Sequence, residues 1–222
     1  AFSVLGLAVG TALPANAIFL DFENDLQGSF QNGFSSVDDP NELISFSKCP
    51  PLPAACPGSN SVRVEDFGPG FFGLPQSDGI GLGILPDDAD EILFEFDGFF
   101  EELTFDFGND DIFSVPALED AFLRVFDNGV EVGQTLIPVA GFDSILKPDP
   151  NNPGNFIPQS ISFTSTNIGE TFNSARFSFV DGNGNNVDLA EVIDNVEAVP
   201  ATSHAIPFEA EGTMGLAALG GY

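Results

Sequence analysis

Tryptophan is absent from this 222-residue chain, tyrosine and histidine occur once each (Tyr222 and His204), and only five residues are basic. Each shortage removes a class of chemistry. With a single histidine near one end and two cysteines, Cys49 and Cys56, close to each other, no Ser-His-Asp or Cys-His catalytic arrangement can be assembled. The basic residues Lys48, Arg63, Arg124, Lys147 and Arg176 stand against thirty-four acidic ones, for a formal charge of -29. Such a chain repels phosphate backbones and anionic headgroups, which excludes nucleic-acid binding. Sugar platforms commonly use Trp or Tyr, whose faces stack on pyranose rings while their polar tips hydrogen-bond. Here Phe71, Phe72, Phe99 and Phe100 are left to offer an apolar surface, and paired Phe residues read more readily as core. No phosphate loop is present, since Gly79-Ile80-Gly81-Leu82-Gly83 lacks a following helix and reads as a bend in a Gly-rich strand.

What is present is apolar material in quantity. Twenty-five Phe residues and a hydrophobic fraction of 43% suffice for a sizeable core, so the chain is not disordered for want of one. One domain of ordinary size is expected. The acidic excess has two readings: it keeps the protein soluble, or it collects divalent cations, each of which relieves carboxylate self-repulsion.

The two ends carry addresses. Residues 1–17 are uncharged, too short to span a bilayer, and close on Ala15-Asn16-Ala17, the small-x-small pattern of a signal-peptidase site. Cleavage is expected after Ala17, and the missing initiator Met and basic leader mark the sequence as starting inside its leader. An exported compartment lets Cys49 and Cys56 form a disulfide around a small loop, worth at most about 2–3 kcal/mol by chain entropy. Two thiolates without further soft ligands make a poor zinc site. Beyond Val199, residues 200–207 read as an extended linker and Met214 to Tyr222 as the start of an apolar segment that is cut off.

Between the ends the hydrophobic period is two. Ile92-Leu93-Phe94-Glu95-Phe96-Asp97 and Leu103-Thr104-Phe105-Asp106-Phe107 alternate as half-buried strands do, and with Gly98 between them they predict a hairpin or adjacent strands. Asn128-Gly129 joins residues 121–127 to 130–132 as a hairpin turn. Further strands are expected at 18–23, 43–47, 62–67, 157–164, 175–180 and 192–199, with single turns of helix at 117–121 and 188–192. The proline-rich stretch 147–155 reads as a surface loop. Nine or ten short strands predict an all-β fold, an antiparallel β-sandwich of jelly-roll type spanning 18–199, with 1–17 a signal peptide and 200–222 a linker and sorting segment.

At the C-terminal end, Ile206-Pro207-Phe208-Glu209 followed by Met214 onward resembles the sorting signal of the PEP-CTERM class, in the Pro-Phe-Glu (PFE-CTERM-like) variant associated with cyanobacteria. The resemblance covers about twenty C-terminal residues plus the leader, with Phe208 and Glu209 departing from the commoner motif and no basic end. It implies an exported protein of the cell surface, envelope or extracellular matrix, handled by an exosortase-like enzyme after transient membrane association through the tail. The body resembles galactose-binding-like jelly rolls, opening with Phe22-Glu23 and ending with Ile193-Asp194-Asn195-Val196. In such folds the first and last strands lie side by side and acidic residues there hold a structural calcium, which by resemblance nominates Glu23 and Asp194.

A second calcium candidate is Asp181-Gly-Asn183-Gly-Asn185-Asn-Val-Asp188, with oxygen-bearing side chains at alternate positions. It lacks the sixth-position Gly and the twelfth-position Glu of an EF-hand loop and reads first as a turn. Asp106, Asn109, Asp110 and Asp111 form another acidic cluster of low specificity. So many acidic residues produce carboxylate pairs by accident, so they do not identify a glycosidase. The sequence therefore predicts a non-enzymatic, exported β-sandwich protein. The alternative is a calcium-dependent module binding extracellular polysaccharide, and a secreted hydrolase comes third.

Overall fold

The computed structural model describes residues 17–201 apart from 32, 55, 57–60, 68–76, 85–88, 110–118, 139–144, 168–169 and 188–190. The sorting motif Pro207, Phe208 and Glu209, residues 1–16 of the leader, Phe71, Phe72, Asp110, Asp111 and Asp188 lie outside these residues.

The fold is an all-β antiparallel sandwich of the expected jelly-roll type, and among the described residues there is no helix. Its strands are β1 Ile18–Leu20, β2 Gly28–Phe30, β3 Ile44–Cys49, β4 Val62–Asp66, β5 Ile80–Gly83, β6 Glu91–Asn109, β7 Asp120–Asp127, β8 Val130–Pro138, β9 Leu146–Pro148, β10 Phe156–Pro158, β11 Ser160–Thr164, β12 Phe172–Val180 and β13 Glu191–Pro200.

One strand belongs to both layers. The first half of β6 pairs with β3 and β12, and β12 continues to β7 and β8. The second half pairs with β13 and β11, and β13 continues to β5, β4 and β2. The change occurs at Gly98, whose φ of +130° lies where L side chains rarely go. The two alternating runs expected to form a hairpin or neighbouring strands are thus one bent strand that turns a corner between sheets. Its inward residues meet across the core: the Phe94 and Phe105 rings lie 5.1 Å apart, and Phe105 meets Phe177 at 5.0 Å. Phe46 extends the chain of rings from Phe94, at 5.2 Å, and Phe22 extends it again at 5.7 Å. Phe suits this interior because, unlike Trp or Tyr, it brings no polar atom that would need a buried partner.

The Asn128-Gly129 turn joins β7 to β8 as expected, with both residues at positive φ (48° and 81°). Of the two stretches expected to form helical turns, Asp120 and Ala121 belong to β7 and Glu191 and Val192 to β13, while 117–118 and 188–190 lie outside the described residues. Their apolar residues fill inward strand positions, so the pairing ladder outweighs a weak helical preference. The proline-rich stretch is less of a loop than expected. Its flanks pair as β9 and β10 in a two-stranded ribbon off the main sheet, where Pro148 and Pro158 interrupt no central ladder.

Any residue with a Cβ must strain the backbone at the corner. Gly98→Ala is expected to cost roughly 1–3 kcal/mol, although nothing lies within 4 Å of where the added Cβ would sit. Urea unfolding at equal m-value measures the loss, and an unchanged midpoint would show that the corner does not depend on glycine.

Candidate functional site

The geometry around Glu23 and Asp194 follows from strand order. Along one side β13 pairs with β6; along the other it pairs first with β5, through Val192 and Ile193, and then with β1, through Val196 to Ala198. The end of β1 therefore meets the beginning of β5 beside β13. Asp194 stands at that junction, where the β13 ladder bulges and Asn195 takes a φ of 50°.

Both nominated carboxylates act on the residues leading into β5. Asp194 Oδ2 accepts the Asp78 N–H at 2.9 Å and its Oδ1 accepts the Asn195 N–H at 2.8 Å. Glu23 Oε1 accepts the Ile80 N–H at 2.9 Å. Gly79 lies between, at φ +96°, and a Cβ there would fall 1.9 Å from Glu23 Oε1. The two residues nominated from sequence thus meet at one turn and clamp it. Three of the four oxygens accept main-chain N–H groups. Among the described residues no group of three or more His, Cys, Asp or Glu side chains is arranged to hold a metal. Asp194 is fully buried, and burial, with Asp78 and Asp106 nearby as further negative charges, pushes its pKa up to about 7 against two hydrogen bonds that lower it.

Asp181, Asn183 and Asn185 form the turn expected on first reading. Asp181 Oδ1 accepts the Asn183 and Asn185 N–H groups at 2.8 and 2.9 Å, and Oδ2 accepts the Asn185 side-chain amide at 3.1 Å. These bonds, the Asn185 N–H first, hold the Asp181 pKa down to about 2. The carboxylate closes its own loop. Asp106 likewise accepts the Asn195 amide at 3.0 Å and the Ser160 hydroxyl.

Sequence reasoning missed a buried charge cluster on the outer side of the first sheet. Arg124 and Arg176 sit directly opposite each other on β7 and β12, an arrangement that repels. Glu91 resolves it, with Oε1 paired to Arg124 and Oε2 to Arg176 Nη1 at 3.0 Å, while Asn186 Nδ2 donates to Oε1 at 3.0 Å. Arg176 also donates to the Pro50 carbonyl at 3.2 Å, inside the loop closed by the Cys49–Cys56 disulfide, which is formed as expected. The stapled loop thus gives the cluster a main-chain acceptor. The signal in the sequence is limited to two of only five basic residues falling at outward positions of alternating strands.

The outer face of the second sheet is different. Phe19 on β1 is opposite Glu197 on β13, Glu197 is opposite Thr104 on β6, and Thr104 is opposite Ser162 on β11. Directly opposed residues share a face, so these four form one row across four strands. Beside it on β6 lies Glu102, opposite Thr164 and Val199. Phe19, Glu197, Glu102, Ser162 and Thr164 are all exposed, Phe19 by 53%. Of the two described Phe residues flagged from sequence, Phe99 is exposed by 47% and Phe100 is core.

No family model and no curated protein matches this chain. Solved structures that resemble it include the CBM51 module of a Clostridium perfringens GH95 protein in complex with methyl-galactose. That module is 14% identical over 81% of this chain and 99% of its own, with a TM-score of 0.35. The CBM51-2 and INT domains of Clostridium perfringens ZmpB are 13% identical at a TM-score of 0.35, over 82% of this chain but only 31% of that one. The K2 cleaved adhesin domain of Lys-gingipain is 9% identical at a TM-score of 0.41, over 82% and 97%. At this distance no residue of their sites carries over.

Two outcomes are expected. Glu91→Gln leaves adjacent buried guanidinium groups short of a counter-charge and should cost about 3–5 kcal/mol in urea unfolding. The exposed Glu95→Gln on the same strand should stay within about 0.5 kcal/mol. For Asp194, folding raises the pKa from 3.8 to about 7, so the native state holds the proton more tightly than the unfolded chain. Its contribution is greatest below the unfolded pKa and is lost as pH rises through 7. The stability of wild type relative to Asp194→Asn should therefore fall between pH 4 and pH 7, and a flat difference would refute the assignment.

Proposed function

We propose that this chain is an exported, non-enzymatic β-sandwich module that binds polysaccharide at the cell surface or in the extracellular matrix. The observation that carries the binding reading is the outer face of the second sheet, where exposed hydroxyls, carboxylates and one aromatic ring occupy adjacent strands. Sugar hydroxyls are donors and acceptors in equal measure, and such side chains can meet both needs. Export is supported by the Cys49–Cys56 disulfide, a bond that persists in oxidising compartments, together with the leader ending at Ala17. The tail at Pro207, Phe208 and Glu209 carries the proposal of sorting by an exosortase-like enzyme.

A hydrolase would need an accessible carboxyl group with a raised pKa. Two described carboxyl groups have raised pKa values. Asp194 is sealed from solvent with both oxygens accepting main-chain hydrogen bonds. Asp38, raised by desolvation and by the neighbouring Asp21 and Asp25, is half-buried and accepts the Asn24 amide, so the hydrolase reading rests on Asp38 alone. Calcium would have to come to carboxylates that already serve the turn, so calcium-dependent binding is not part of this reading.

Native gel electrophoresis through immobilised soluble polysaccharides tests it. Retardation is expected on at least one polymer, without release of reducing ends. It should be equal in calcium and in magnesium at matched ionic strength. Release of reducing ends would establish the hydrolase, and migration unaffected by every polymer would leave a purely structural role.

A further inference from the structure

Phe19 breaks the pattern that builds the rest of the sandwich. On β1 the flanking Ile18 and Leu20 turn inward, Leu20 to complete burial and Ile18 to pack against the core, so Phe19 must point outward. The outward positions directly across the sheet are Glu197, Thr104 and Ser162, all polar, as a solvated face requires. A large aromatic ring left half in water at such a position adds nothing to the core. It lies in line with a row of hydrogen-bonding groups. Strand spacing puts the row's ends roughly 14 Å apart, long enough for a short run of sugar rings. Glu102 and Thr164 form a parallel row one pleat along β6 and β11.

Resting on the polysaccharide-binding reading, we propose that this face is a subsite for a neutral polysaccharide lying across β1, β13, β6 and β11. Phe19 stacks against the C–H face of a sugar at one end, and Glu197, Thr104 and Ser162 bond hydroxyls along the chain. Neutrality follows from charge. Glu197 and Glu102 lie on the face, no basic side chain accompanies them in these two rows, and the chain as a whole carries -29. Uronate or sulfate groups would be repelled. A neutral sugar hydroxyl instead donates to a carboxylate, the stronger kind of hydrogen bond.

The test is affinity electrophoresis of the folded protein on xylan, galactomannan and a β-1,3-glucan, with alginate and carboxymethylcellulose as anionic counterparts. Wild type should be retarded by at least one neutral polymer and by neither anionic one. Phe19→Ala and Glu197→Gln should each weaken that retardation about tenfold, the size of one lost charged hydrogen bond or stacking contact. Phe156→Ala, which removes an exposed ring from the β9–β10 ribbon, should change nothing. The Glu197→Gln variant keeps shape and serves if Phe19→Ala melts early. Retardation by a neutral polymer that survives both substitutions would overturn the site and leave the broader function standing. Retardation by alginate or carboxymethylcellulose would overturn neutrality, and no retardation by any polymer would overturn the site and the function together.

Discussion

Everything in this sandwich is arranged around the corner that β6 turns at Gly98. A strand shared by two sheets fixes their separation and relative orientation at once, because its inward residues from both halves must pack against each other. Phe94 and Phe105 do so in a near-parallel stack, with an interplanar angle of 29°. The remaining strands take their register from one half or the other: β3 and β12 from the first, β13 and β11 from the second. A strand of ordinary stiffness could not serve both layers, and glycine provides the freedom at little steric cost.

Charge is distributed unevenly for a physical reason. Arg124 and Arg176 are concentrated around Glu91 beside the disulfide loop, where a low dielectric strengthens pairing but makes an unpaired charge costly. Several carboxylates, exposed as well as buried, act as clamps whose oxygens accept main-chain N–H groups. Glu23, Asp181 and Asp194 all serve loops in this way. An acidic composition that suggests metal binding is, at these positions, a means of fixing turns. Asp194 retains a cost from burial, which makes it sensitive to pH.

The proposed binding face uses what this economy leaves over. Turns, core and charge cluster employ residues whose partners lie within the fold, whereas the row from Phe19 to Ser162 faces solvent across four strands, from β1 to β11. Strands anchored in a packed core hold their side chains at fixed spacing, so a ligand meeting them would find little to reorganise.

The sequence by itself determined the fold class, the Asn128-Gly129 hairpin and most strand positions, because a period of two and turn chemistry are local properties written directly in residue order. It also indicated the Cys49–Cys56 bond, since oxidation of two nearby thiols needs only proximity. The pairing of β1 with β13 was legible through resemblance alone. Only the tertiary structure decided that residues 91–109 form one bent strand, for alternation looks the same whether a chain folds back or turns a corner. Likewise it alone set two arginines face to face, joined Glu23 and Asp194 through the turn before β5, and aligned Phe19 with Glu197, Thr104 and Ser162. Those relations depend on which strands become neighbours and in what register, and neither is encoded in the spacing of residues along a single segment.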